Sequence, residues 1–150
     1  MQEPQPGSGS AARPTRTVAR MIHLAVSGGL GVVFVVLLYL QTIQVPPLGD
    51  SAEMQRVIRY IGYALLGGLI LVGWSLRVRI ASPARGKDLD VWWSGSLTKA
   101  LVLWALAEGV GLAGMALGWM SGDSTLLIAA VVVSFALLFV TRPGELERPV

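Results

Sequence analysis

Four runs of apolar residues, separated by short polar stretches, organise this chain. The first, from Met21 to Leu40, is interrupted only by His23; the second runs from about Val57 to Leu76, the third from about Leu97 to Met120 and the fourth from about Thr125 to Thr141. Each is close to the roughly 20 apolar residues that a helix needs to cross the hydrocarbon core of a bilayer. Only Ser121-Gly122-Asp123-Ser124 separates the third run from the fourth, which leaves room for an antiparallel helical hairpin and nothing else. The pattern predicts an all-α fold, a four-helix transmembrane bundle of two antiparallel hairpins spanning residues 21–141. Residues 1–20 carry three prolines, small polar residues and Arg13, Arg16 and Arg20, a composition too polar to offset ordering entropy, so a disordered basic tail is expected. Residues 142–150 form a second polar tail, expected to fray. A cleaved signal peptide competes for the first run, but that run is about twice the length of a signal core and no small-x-small site follows it.

Composition agrees with this reading. The chain has 150 residues, 53% apolar and only 14% charged, with a mean hydropathy of +0.63. Soluble domains carry about a quarter charged residues, so the polar surface is too small to coat a water-soluble globule. Four spans and their connections use nearly the whole length, leaving no soluble catalytic domain. The absence of cysteine and the single histidine exclude a disulfide framework, a thiolate nucleophile, an iron–sulfur cluster and a Cys/His zinc site. No metal site, cofactor site or enzyme activity is expected.

The net charge of +3 gains its meaning from where the cations fall. With four spans, Arg13, Arg16, Arg20, Arg77, Arg79, Arg85, Lys87, Lys99, Arg142 and Arg148 lie on one side of the membrane, against Arg56 and Arg59 on the other. Positive residues resist translocation, which predicts that both termini are cytoplasmic and that the chain is a multi-pass protein of a bacterial inner membrane. The lipid bilayer is then its first partner, and the basic residues do not call for nucleic acid, since none interleaves with aromatics as a base-stacking surface would. Trp74, Trp92 and Trp93 on the inner side, with Tyr39, Tyr60, Tyr63 and Trp119 on the outer, read as interfacial anchors.

One residue needs a reason of its own. Glu108 falls at the centre of the third run, where an ionisable side chain costs about 2.5 to 3.5 kcal/mol on insertion scales. It is expected to face the bundle or a watery cavity, and Ser134 is the one hydroxyl at its depth. At 100° per residue, Ala100, Ala107, Gly111, Gly114 and Gly118 line one strip of the same helix, with Trp104 and Met115 between that strip and Glu108. Small residues let another helix approach closely. Ala64 and Gly68 on the second run, and Ser27 and Gly31 on the first, offer the same opportunity. The strip therefore packs the bundle itself or an interface in a homo-oligomer or larger membrane complex. Glu108 is either a carboxyl that holds the bundle through a hydrogen bond or a proton- or cation-binding site. His23 reads as an interfacial side chain. The glycine groups follow no strand, as a phosphate-binding loop requires.

From Lys99 to Gly118, KALVLWALAEGVGLAGMALG resembles the ion-carrying helix of the proteolipid c subunits of rotary ATP synthases and ATPases. In that family a mid-membrane carboxylate is followed six positions later by glycine, the spacing of Glu108 and Gly114. The resemblance implies that Glu108 binds and releases a proton or sodium ion. The chain departs from the family in its second run, where Gly62, Gly67, Gly68 and Gly73 are irregularly spaced, in its longer loop with Arg85-Gly86-Lys87, and in the span that follows the carboxylate. The whole pattern is similar to small bacterial four-helix membrane proteins with a c-like central hairpin. Helix packing in an accessory or structural subunit is thus the first expected function, and proton or cation translocation through Glu108 the second.

Overall fold

The computed structural model describes residues 15–43, 51–84, 86 and 88–148. It is all-helical, with no strand among these residues. The elements are α1 (Thr15–Ile43), α2 (Ala52–Val78), α3 (Leu89–Met120), α4 (Ser124–Val140) and the single turn α5 (Pro143–Leu146). α3 is the central helix, packed against α1, α2 and α4, while α4 also touches α1 and α2. The core is built on α3: Leu103, Trp104, Ala107 and Met115 are fully buried, joined by Leu30, Leu126, Leu127 and Ala130 from the neighbouring helices.

The glycine strip explains why α3 and α4 lie so close. A methyl group built at Gly118 would fall 2.6 Å from the backbone nitrogen of Leu127, and one at Gly114 would fall 2.8 Å from Cβ of Ala130. Gly111 meets Ser134 in the same way one turn further down. Ala100 and Ala107 complete the strip and are fully buried. The hairpin turn is set by two local choices: Gly122 adopts a φ of 67°, open to glycine without a Cβ penalty, and Asp123 caps α4 by accepting from the Thr125 and Leu126 amides at 3.0 and 3.2 Å. Asp123 also pairs with Arg59 of α2 at 2.6 Å, which ties the second helix to the same end.

α1, α2 and α3 are long and apolar enough to cross a membrane; α4, at 17 residues, is a shorter apolar helix beside α3. Large apolar side chains face outward on all four, including Leu24, Val35, Ile70, Leu71, Val132 and Phe139. A surface of this kind is at home in hydrocarbon, and the chain is a membrane protein.

Several expectations need correction at the helix ends. α1 begins at Thr15, so Thr15–Arg20 are helical and Ala19 is fully buried; only residues 1–14 of the expected tail lie outside the described residues. α3 begins at Leu89, eight residues before the apolar run, because Asp88 caps it by accepting from the Asp90 amide at 2.9 Å. The carboxyl tail folds back as α5, with Pro143 at its first position and Leu146 buried. Trp92 and Trp93 are core residues rather than interfacial anchors, 9% and 0% exposed. The Pro46, Pro47 and Gly49 connection, and Arg85 and Lys87, lie outside the described residues.

Candidate functional site

Glu108 is half-buried on the side of α3 that faces α1. Its Oε1 lies 3.7 Å from the point where a side chain at Gly29 would begin, so the carboxyl rests where α1 has none. It forms no hydrogen bond or ion pair with any described residue. Ser134 does not supply one: its hydroxyl is buried against Gly111, on the α4 side of the helix, and is itself without a partner. The structure therefore brings Glu108 together with Gly29 and separates it from the hydroxyl at its depth.

The surface beside Glu108 is open. At 100° per residue, Val102, Ala105, Gly109 and Ala113 form an exposed stripe on α3, lying between the α1-facing side that carries Glu108 and the α2-facing side that carries Leu106 and Val110. Gly28 of α1 and Gly109 of α3 have no neighbour within 4 Å of a built Cβ. The packed helices thus present a shallow face of small residues with one carboxyl at its margin. Ala100, Ala107, Gly111, Gly114 and Gly118, by contrast, are all buried, the three glycines against α4.

A second polar centre lies at the helix ends that carry both termini of the described chain. Arg16 of α1 grips Glu147 with two bonds, Nε to Oε1 at 2.9 Å and Nη2 to Oε2 at 2.6 Å. Trp93 of α3 donates its indole N–H to Oε1 at 3.1 Å, and Arg20 approaches Oε2 at 3.4 Å. The Arg16 amide, one of the four without an intrahelical partner, donates to Asp90 at 3.1 Å. Burial pushes the Glu147 carboxyl up, but the bonds from Arg16 and Trp93 and the charges of Arg16 and Arg20 outweigh it, so the net shift is below the usual carboxylate range.

The same end uses aromatic donors to satisfy the last carbonyls of α4. The Trp104 indole N–H donates to the Thr141 carbonyl at 3.0 Å. His23 Nε2 lies 3.0 Å from the Leu138 carbonyl; a carbonyl only accepts, so this nitrogen carries the proton. The two rings meet edge to face at 5.0 Å. His23 is therefore part of the α1–α3–α4 junction. Sequence reading missed this clasp. The one local signal was Arg142-Pro143-Gly144-Glu145, with proline at a helix start and an acid in the first turn. Compared with protein-family models, with curated proteins and with solved structures, the chain matches none of them.

Proposed function

We propose that this chain is a non-enzymatic structural subunit of a bacterial inner membrane, acting by helix packing and self-associating through the open face beside Glu108. Four spans carry it, with both termini cytoplasmic. The fourth span is supported by α4 running beside α3 from Gly118 at one end to Trp104 at the other. The orientation is supported by ten basic residues on the inner side against two on the outer.

The observation that carries the reading is the lone Glu108 beside an uncovered stripe of Ala105, Gly109 and Ala113. A carboxyl at this depth needs a hydrogen-bond partner, and small residues let backbones approach. A second copy seated here lays the same small stripe against its own across a two-fold axis at Gly109 and shields the two carboxyls, which lie on opposite flanks of that axis, from lipid. Sedimentation in density-matched detergent tests this. The wild type is expected to be dimeric or larger, Gly109→Leu monomeric, and Glu108→Gln, which keeps hydrogen-bonding atoms, still associated. A monomeric wild type would overturn it.

A second reading has the same residue at its centre: proton or cation passage through Glu108 in a c-subunit-like oligomer. It is favoured by a carboxyl that is half-buried and unpaired. Carbodiimide labelling in membranes separates the two readings, since an ion-binding carboxyl reacts and is protected by its ion or by a change of pH. Labelling indifferent to both favours packing alone.

A further inference from the structure

The groove between α2 and α3 changes character along its length. In its upper part Ile61, Ala64, Gly68 and Val72 face Leu106 and Val110 across a cavity of about 390 Å³. Directly below, Leu76 and Arg79 face Thr98, Lys99 and Val102 across a cavity of about 320 Å³. Steps of three and four residues connect the two, from Gly68 to Val72, Leu76 and Arg79 on α2 and from Val110 to Leu106, Val102 and Thr98 on α3. The two cavities thus follow one another along the same pair of helices, apolar above and cationic below.

The polar end has exposed donors and no acidic partner among the described residues. Neither Arg79 nor Lys99 pairs with an acid among the described residues, whereas Arg16, Arg20, Arg59, Arg142 and Arg148 all do. The Thr98 hydroxyl bonds to no described group, although Ser94 one turn earlier donates back to the Val91 carbonyl at 2.7 Å. Two cations lining one cavity repel each other unless an anion lies between them. The groove also has a telling length: Gly68 to Arg79 is about 16 Å at the helical rise, and one leaflet is about half of the 30 Å hydrocarbon core.

We propose that this groove is a binding site for an anionic phospholipid. Arg79, Lys99 and Thr98 hold the phosphate, and one acyl chain lies along Leu76, Val102, Val72 and Leu106 towards Gly68. The charge supplies headgroup preference, as basic pockets between spanning helices do, and the apolar part supplies chain affinity. The site rests on the membrane setting of the helices and not on self-association.

Native mass spectrometry of the detergent-purified chain, titrated with phosphatidylglycerol and with phosphatidylcholine, tests it. Wild type is expected to retain phosphatidylglycerol about tenfold better. The double variant Arg79→Gln/Lys99→Gln is expected to lose that preference, while Arg79→Lys and the distant Arg148→Gln keep it. Gly68→Leu, which enters open space, is expected to lower uptake of both lipids without changing their ratio. Far-UV circular dichroism confirms that each variant keeps its helices. Equal retention of the two lipids by wild type would overturn the proposal, as would a preference that survives in the double variant. Displacement of phosphatidylglycerol by millimolar glycerol phosphate would also overturn it, by assigning the cations to a free phosphate.

Discussion

Replacing Gly114 by alanine isolates the contact that brings α3 against α4. The new methyl would sit 2.8 Å from Cβ of Ala130 and 3.4 Å from a Leu66 methyl. An alanine Cβ has no rotamer into which it can retreat, so the two helices must separate. Overpacking of this kind costs about 1–3 kcal/mol. Alanine in place of glycine also adds helix propensity, up to about 1 kcal/mol, which partly masks the clash. Gly67→Ala provides the reference, because Gly67 lies within α2 and has nothing within 4 Å of a built Cβ. The difference between the two variants is the steric cost, and Gly114→Ala is expected to be the less stable by about 1–3 kcal/mol. Adding Ala130→Gly moves the methyl from one helix to the other, so the double variant is expected to recover most of that loss as a coupling energy. Reversible unfolding in mixed micelles, followed by circular dichroism, measures five proteins: the wild type, the single variants Gly114→Ala, Gly67→Ala and Ala130→Gly, and the double variant. A Gly114→Ala protein as stable as Gly67→Ala, or no coupling to Ala130, would refute the close α3–α4 contact.

Other consequences can be checked in the same system. Because the folded Glu147 carboxyl lies below its unfolded value, its stabilisation is present above about pH 4.3 and is lost as pH falls through the lower folded value; thermal midpoints are expected to fall over that acidic range, and Glu147→Gln to be weaker at neutral pH with a flatter profile. Trp93→Phe keeps most of the ring but leaves Glu147 one donor short, an expected loss of about 1–3 kcal/mol in the same melts. At the other end, Asp123→Ala removes both the α4 cap and the partner of Arg59, and is expected to cost about 0.5–2 kcal/mol. Arg59→Gln, whose side chain is half exposed, is expected to cost no more than about 1 kcal/mol. Leu146→Ala is expected to release α5 and make the chain after Thr141 sensitive to limited proteolysis, since Leu146 is 1% exposed.

The apolar runs located α1 to α4 because each helix carries its own stretch of apolar side chains. They were blind to the helix ends beyond it. Thr15–Arg20 and Leu89–Ser96 are polar or mixed: Leu89–Ser96 is held by the Asp88 cap and by Trp93 donating to Glu147, and Thr15–Arg20 by a bond between Arg16 and Glu147, 131 residues apart. No local window contains that pair. Trp92 and Trp93 misled for a related reason: an aromatic residue next to an apolar run has the same sequence signature whether it faces headgroups or another helix. Glu108 was legible because a charge inside an apolar run has few explanations. Its neighbour Gly29 was not, since nothing in either sequence says which face of α1 turns towards α3. The Gly111, Gly114 and Gly118 strip was legible from its spacing, and its orientation towards α4 had to come from the three-dimensional arrangement.

The chain contains no cysteine, so single cysteines report contacts between copies without background. Ala105→Cys, Gly109→Cys and Ala113→Cys on the open α3 stripe, with Val132→Cys on the exposed face of α4 as reference, can be oxidised in native membranes and resolved on non-reducing gels. Self-association through the face beside Glu108 predicts disulfide-linked dimers at one or more stripe positions, strongest at Gly109, and none at Val132. Cross-linking at none of the three, or equal cross-linking at Val132, would contradict it.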